Sequence, residues 1–103
     1  MRQPPGQASI STDILARYAA DAAREVEGVR GLAESTIPGR RAVRVAGEDG
    51  AVRVEVHLVA EWGSSIPALG CGVQERVREY LRTMADVEAA VVDVVVDEVG
   101  PRP

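Results

Sequence analysis

The sequence contains no lysine and no phenylalanine. All twelve basic residues are arginine, which excludes a Schiff-base lysine and the lysine of a phosphate-binding P-loop. Aromatic residues make up 3% of the chain, so the core must be aliphatic and mainly valine. There is one cysteine. It allows no internal disulfide and fits a reducing cytoplasm. There is one histidine, so no histidine pair or cluster is available to a metal, and Cys71 has no second thiol beside it. An excess of positive charge is also missing: the net charge is -4, which argues against binding nucleic acid through bulk charge. Long hydrophobic runs are absent too. The longest, near residues 89–96, is interrupted by Asp93 and is far too short to cross a bilayer. Met1 to Ala8 has prolines and a glycine but no apolar stretch, so neither a signal peptide nor a membrane span is expected.

What is present is regular pattern. At 103 residues the chain has the size of one small domain. Its organising stretch runs from Ala51 to Trp62. Val52, Val54, Val56, Leu58, Ala60 and Trp62 fall on one side, and Arg53, Glu55, His57 and Glu61 on the other. Side chains alternate in this way only along a strand, and one face is core.

The segment before it opens with a helix. Ser11 reads as its N-cap, with Asp13 in the first turn, where the helix dipole favours an anion. Ile10 is placed to pack on Leu15 as a hydrophobic staple. Ile14, Leu15, Tyr18, Ala19, Ala22 and Val26 recur at helical spacing, and Gly28 stops the helix. A short strand follows around Val29 to Glu34, then a loop over 35–40 marked by Pro38-Gly39. Ala42 to Ala46 form the next strand, with Val43 and Val45 on the core face, and Gly47 to Gly50 connect it to the organising strand. Setting Ala46 opposite Ala51 places Arg44 opposite Arg53, a like-charge pair that wants a nearby acid.

Beyond Trp62, Gly63-Ser64-Ser65 starts a second helix, and Pro67 suits its first turn. Ile66, Leu69, Val73, Val77, Tyr80 or Leu81, and Met84 step along one face. Gly70 and Gly72 weaken such a helix unless another backbone lies close. The helix ends near Ala85-Asp86. A last strand covers Ala89 to Val99, with Val92, Val94 and Val96 on one face and Val91, Asp93, Val95 and Asp97 on the other.

The order α-β-β-β-α-β predicts an α+β two-layer sandwich: a mixed four-stranded sheet with two helices on one face. A leader over residues 1–8, one domain over 9–99 and a C-terminal tail over 100–103 complete the expected organisation.

No residue set here reads as catalytic, as a metal site or as a cofactor site. His57 on a polar strand face reads as a solvated or hydrogen-bonded residue, and Cys71 in a helix as a buried small hydrophobe. The carboxylates of Glu48, Asp49, Asp97 and Glu98 sit at strand ends, where solvated turn residues are usual. Gly70-Cys71-Gly72 matches neither the loop of an RNA-binding KH module nor a dinucleotide fingerprint.

The chain resembles the alkaline-shock-protein family, envelope-stress-response proteins of Gram-positive bacteria. The matching pieces begin with Ile10-Ser11 through Ile14, opening a helix that closes with Glu25-Val26-Glu27-Gly28-Val29. They continue with Glu61-Trp62-Gly63, Ser65-Ile66-Pro67, Val73-Gln74 and Val77, and end with Met84 and Val92-Asp93-Val94. Where the family has Thr-Gly after the methionine, this chain has Ala85-Asp86; Asp tolerates the left-handed conformation better than most residues. The resemblance implies a non-enzymatic protein of cell-envelope homeostasis. It implies an oligomerising scaffold or adaptor without cofactor, cytoplasmic, and recruited to the inner face of the membrane by an anchoring partner. The alternative is a small RNA- or nucleotide-binding α+β module, against which the acidity and the scarcity of aromatics on the strands both weigh.

If both helices cover one sheet face, the other is bare. It should carry Arg44, Arg53, Glu55, His57, Val59, Val91, Asp93 and Val95, the candidate surface for self-association or partner docking. The alternative for that face is an ordinary wet surface with a few exposed valines.

Overall fold

The computed structural model describes residues 10–33, 41–48 and 51–101. The expected leader, the Pro38-Gly39 loop and the Asp49-Gly50 turn lie outside them. The elements are α1 (Thr12–Arg24), β1 (Val29–Leu32), β2 (Val43–Glu48), β3 (Ala51–Glu61), α2 (Ile66–Ala85) and β4 (Glu88–Gly100). They form the expected α+β order.

β3 is the spine. β4 runs parallel to it from Ala51↔Glu88 to Glu61↔Gly100 and so occupies one of its two edges throughout. β2 and β1 share the other edge end to end, both antiparallel. β2 pairs with Ala51 to Val56, and β1 with Leu58 to Ala60. The sheet is therefore three strands wide although four strands build it.

The β2–β3 register differs from the expected one by two residues. Glu48 faces Ala51, Val45 faces Val54, Val43 faces Val56, and Arg44 faces Glu55. The connection needs only the two residues between Glu48 and Ala51, where the sequence pattern suggested four. A slip of two leaves every side chain on its own face, so the valines stay in the core. It replaces the expected arginine pair by an opposite-charge pair.

Val52, Val54, Val56, Leu58 and Ala60 of β3 are all buried, with Ala89 and Val92 of β4 and Val43 of β2 beside them. Leu69, Val73, Val77 and Leu81 of α2, each four residues from the last, cover this face together with Leu15, Ala19, Ala22 and Ala23 of α1. The small residues of α1 let its backbone come close. Tyr18 and Tyr80 meet edge to face between the helices, with ring centroids 5.9 Å apart. Arg76 of α2 also pairs with Glu25 at the end of α1.

Several positions expected in the core lie outside it. Ile14 is 45% exposed, because the α1 stripe is centred one residue further on, at Leu15. Ile10 stays 41% exposed rather than stapled under Leu15. Ile66 and Met84, in the first and last turns of α2, are exposed. Trp62 is exposed because β3 ends at Glu61; its indole Nε1 donates to the Val99 carbonyl at 3.1 Å. Cys71 is exposed as well, between two glycines on the solvent side of α2.

The helix ends follow local chemistry. Ser11 Oγ accepts from the Ile14 N–H at 3.3 Å, and Ser65 Oγ accepts from the Ala68 N–H at 3.4 Å. Pro67 sits in the first turn of α2, where its missing donor is not needed. Asp86 ends α2 in the left-handed region, φ 54° and ψ 40°. Of the two glycines inside α2, only Gly72 is explained by close packing: a Cβ there would lie 3.3 Å from Val26 Cγ1, whereas one at Gly70 would meet nothing within 4 Å.

Candidate functional site

Both helices pack on one face of the sheet, and among the described residues nothing covers the other. Strand alternation sends Arg53, Glu55, His57 and Val59 of β3 to that bare face. Cross-strand partners share a face, so β4 adds Val91 opposite Arg53, Asp93 opposite Glu55 and Val95 opposite His57. β2 adds Arg44 opposite Glu55. All eight residues singled out in the sequence thus stand on one surface, with Val95 38% exposed near its middle.

His57 organises the polar part of this surface. Its Nε2 lies 2.5 Å from Glu55 Oε2, and its Nδ1 lies 3.2 Å from both carboxylate oxygens of Asp97. Glu55 Oε2 also accepts from Arg44 Nη2 at 3.2 Å. The result is a continuous ionic row, Arg44–Glu55–His57–Asp97, that crosses β2, β3 and β4.

A neutral imidazole has one donor and one acceptor, and it would turn a lone pair toward one of these carboxylates. The doubly protonated ring donates to both. The Glu55 hydrogen bond, followed by Asp97, accordingly pushes the His57 pKa up against an opposing effect of partial burial. The same hydrogen bond from His57, with Arg44 behind it, holds the Glu55 carboxyl below its usual range. Both ring nitrogens of His57 are engaged by carboxylates, Nε2 by Glu55 and Nδ1 by Asp97. Among the described residues no group of three or more histidine, cysteine or acidic side chains is arranged to hold a metal ion. The array can present fixed charge; it offers no nucleophile with a base beside it.

Asp97 is the residue that the sequence argument missed as a partner. Periodicity placed it on this face, but its position near the strand end made a solvated carboxylate the simpler reading. The pairing passes from Leu58↔Val96 to Val59↔Glu98, which leaves Asp97 as the extra residue of a β-bulge. Bulges re-aim side chains, and this one turns Asp97 onto His57. Asp93 and Arg53, though both on this face, form no ion pair with each other. Arg53 lies opposite Ala46 and Val91 instead. With Arg44, Glu55 and Asp93 it borders a shallow cavity of about 480 Å³.

An α+β sheet with one face packed by two helices and the other bare and charged defines a small two-layer α+β domain, and comparison gives its kinship. A model of the alkaline shock protein 23 family, described as having a cell envelope-related function, matches residues 1–101, and the chain belongs to that family. No curated protein sequence matches the chain. Among solved structures, an aspartate-to-asparagine variant of the MamM CTD is similar in fold, with a TM-score of 0.64 at 14% identity over 87% of this chain and 95% of that one. The copper form of an aspartate-to-histidine variant of the same CTD has a TM-score of 0.57 at 12% identity, over 85% and 98% of the two chains. At such identities the likeness is one of fold. No helix among the described residues is long and apolar enough to cross a membrane.

Proposed function

We propose that this protein is a non-enzymatic scaffold or adaptor of cell-envelope homeostasis that self-associates through its bare sheet face. One observation carries the reading. A face left open by both helices combines an ordered ionic row, Arg44–Glu55–His57–Asp97, with Val59, Val91 and Val95 around it. Buried against a second copy, the valines supply apolar area. The row, already paired within each copy, presents the same charge pattern to the partner and sets the register. The commitment of both His57 nitrogens to carboxylates supports a structural rather than catalytic role for the only histidine. Family membership supports the link to the envelope. In this reading an anchoring protein brings the assembly to the membrane.

The test is the double variant Val91→Glu with Val95→Glu, studied by sedimentation and by affinity capture from detergent-solubilised membranes with and without nuclease. The expected result is a folded variant with parental helix content that no longer oligomerises and no longer captures membrane protein. A variant that folds, self-associates and captures as the parent does places the working surface elsewhere. Nuclease-sensitive capture of nucleic acid by the parent would favour a nucleic-acid module.

A further inference from the structure

We propose that the outer edge of β4 docks an extended segment of a partner protein in which arginine or lysine alternates with apolar residues. Among the described residues β4 pairs with β3 alone, so no other described strand lies on its second edge. That edge is closed at both ends by side chains. Arg78 Nε donates to the Ala89 carbonyl at 3.3 Å and Gln74 Nε2 to the Val92 carbonyl at 3.0 Å, both reaching over from α2. At the other end Trp62 Nε1 holds the Val99 carbonyl.

Between them the edge is bare. The Val92 carbonyl points away from β3, and strand alternation gives Val94 and Val96 the same phase. Their N–H and C=O groups therefore face outward in the plane of the sheet, and among the described residues no side chain meets them. The open span, Asp93 to Glu98, is about 20 Å long at strand rise. An unpaired strand edge of this kind is a template for another strand.

Charge selects the occupant. β4 carries Glu88, Asp93, Asp97 and Glu98 and no basic residue. Asp97 is engaged by His57, whereas Asp93 and Glu98 have no ion-pair partner among the described residues. A second copy adding its own β4 would bring further carboxylates and no cation; the antiparallel register centred on Val95 would set Asp93 against the other copy's Asp97. Like charges directly opposite are destabilising. A strand with cations opposite Asp93 and Glu98, and apolar residues opposite Val94 and Val96, fits both faces. The edge uses backbone groups rather than the Val91 and Val95 side chains, so this docking goes beyond self-association through the sheet face.

Two synthetic peptides, one alternating arginine with valine and one alternating glutamate with valine, are titrated into the full isotope-labelled chain. The arginine peptide should bind about tenfold more tightly than the glutamate peptide and slow amide exchange at Val94 and Val96. Asp93→Arg with Glu98→Arg, both on exposed side chains, should invert the preference. Val96→Pro removes an outward N–H that no ladder bond uses, and it should lose peptide binding while keeping the parental fold, with some loss of melting temperature because Val96 packs against the core. If that variant does not fold, the charge inversion carries the test. Equal binding of the two peptides, a preference unmoved by the inversion, or protection of Val94 and Val96 by protein concentration alone would overturn the proposal. Oligomers that persist in the charge-inverted variant while its peptide preference flips would leave the sheet-face reading standing independently.

Discussion

His57 Nε2 lies 2.5 Å from Oε2 of Glu55, the residue two places earlier on the same face of the same strand. Here Arg44 draws the Glu55 carboxylate from one side while Asp97 holds the imidazole from the other. The arrangement favours the protonated form of the chain's only histidine, on the bare sheet face.

The first prediction follows from the signs of the two shifts. The His57 pKa is raised above its ordinary 6.5. Its contribution is fully present below 6.5 and is lost as pH rises through the higher folded value. The Glu55 pKa is lowered below its ordinary 4.5, so its contribution is present above 4.5 and is lost as pH falls through the lower folded value. The row is therefore intact between these limits. His57→Gln should lower the melting temperature most between pH 4.5 and 6.5, and the gap from the parent should close as pH rises further. A gap that does not change with pH would show that the charged row contributes nothing.

Core truncations separate the two helix stripes. Leu58 and Leu81 are fully buried, and Leu→Ala at either should cost about 2–5 kcal/mol in chemical denaturation. Ile14 is 45% exposed, and Ile14→Ala should cost less than about 1 kcal/mol. Comparable losses at Ile14 and Leu81 would contradict the observed centring of α1 on Leu15.

Backbone conformation sets opposite expectations at two turns. Asp86 sits at φ 54°, a region that costs an L-residue roughly 1–2 kcal/mol relative to glycine. Asp86→Gly should leave stability unchanged or raise it by up to about 1 kcal/mol. Gly28 has φ +96°, and a Cβ there would lie 3.0 Å from Ser64 Oγ. Gly28→Ala should therefore lose more than about 1 kcal/mol. Urea midpoints of the two variants that move in the same direction would refute this account.

The thiol offers a check that needs no mutation. Cys71 is exposed, so a bulky maleimide should label it completely without denaturant and leave the melting temperature unchanged. Labelling that requires urea would restore the buried position expected from its helix.

Much of this architecture is determined locally, and the sequence already contains it. The alternation from Val52 to Ala60 makes β3 a strand with one apolar face, because the pleat repeats every two residues. Ser11 and Ser65 place the helix starts, since each supplies an acceptor for an otherwise orphan N–H. Asp86 marks the end of α2 for a similarly local reason. The eight residues of the bare face were legible too, because membership of a face needs only parity along each strand.

Tertiary structure decided what parity cannot see. A slip of two residues preserves every face, so no pattern of valines distinguishes Arg44 opposite Arg53 from Arg44 opposite Glu55; the assembled sheet has the second. Helical spacing offered Ile14 and Leu15 equally, and only the position of the sheet buried Leu15. Cys71 is outside because the side of α2 that meets β4 is set by Leu69, Val73 and Val77. Asp97 reached His57, forty residues away, through a bulge in a parallel pairing that exists only once α2 has carried the chain back beside β3. Local alternation dictates which side of a strand a residue takes, but contact across strands depends on register, and register is a property of the assembled sheet.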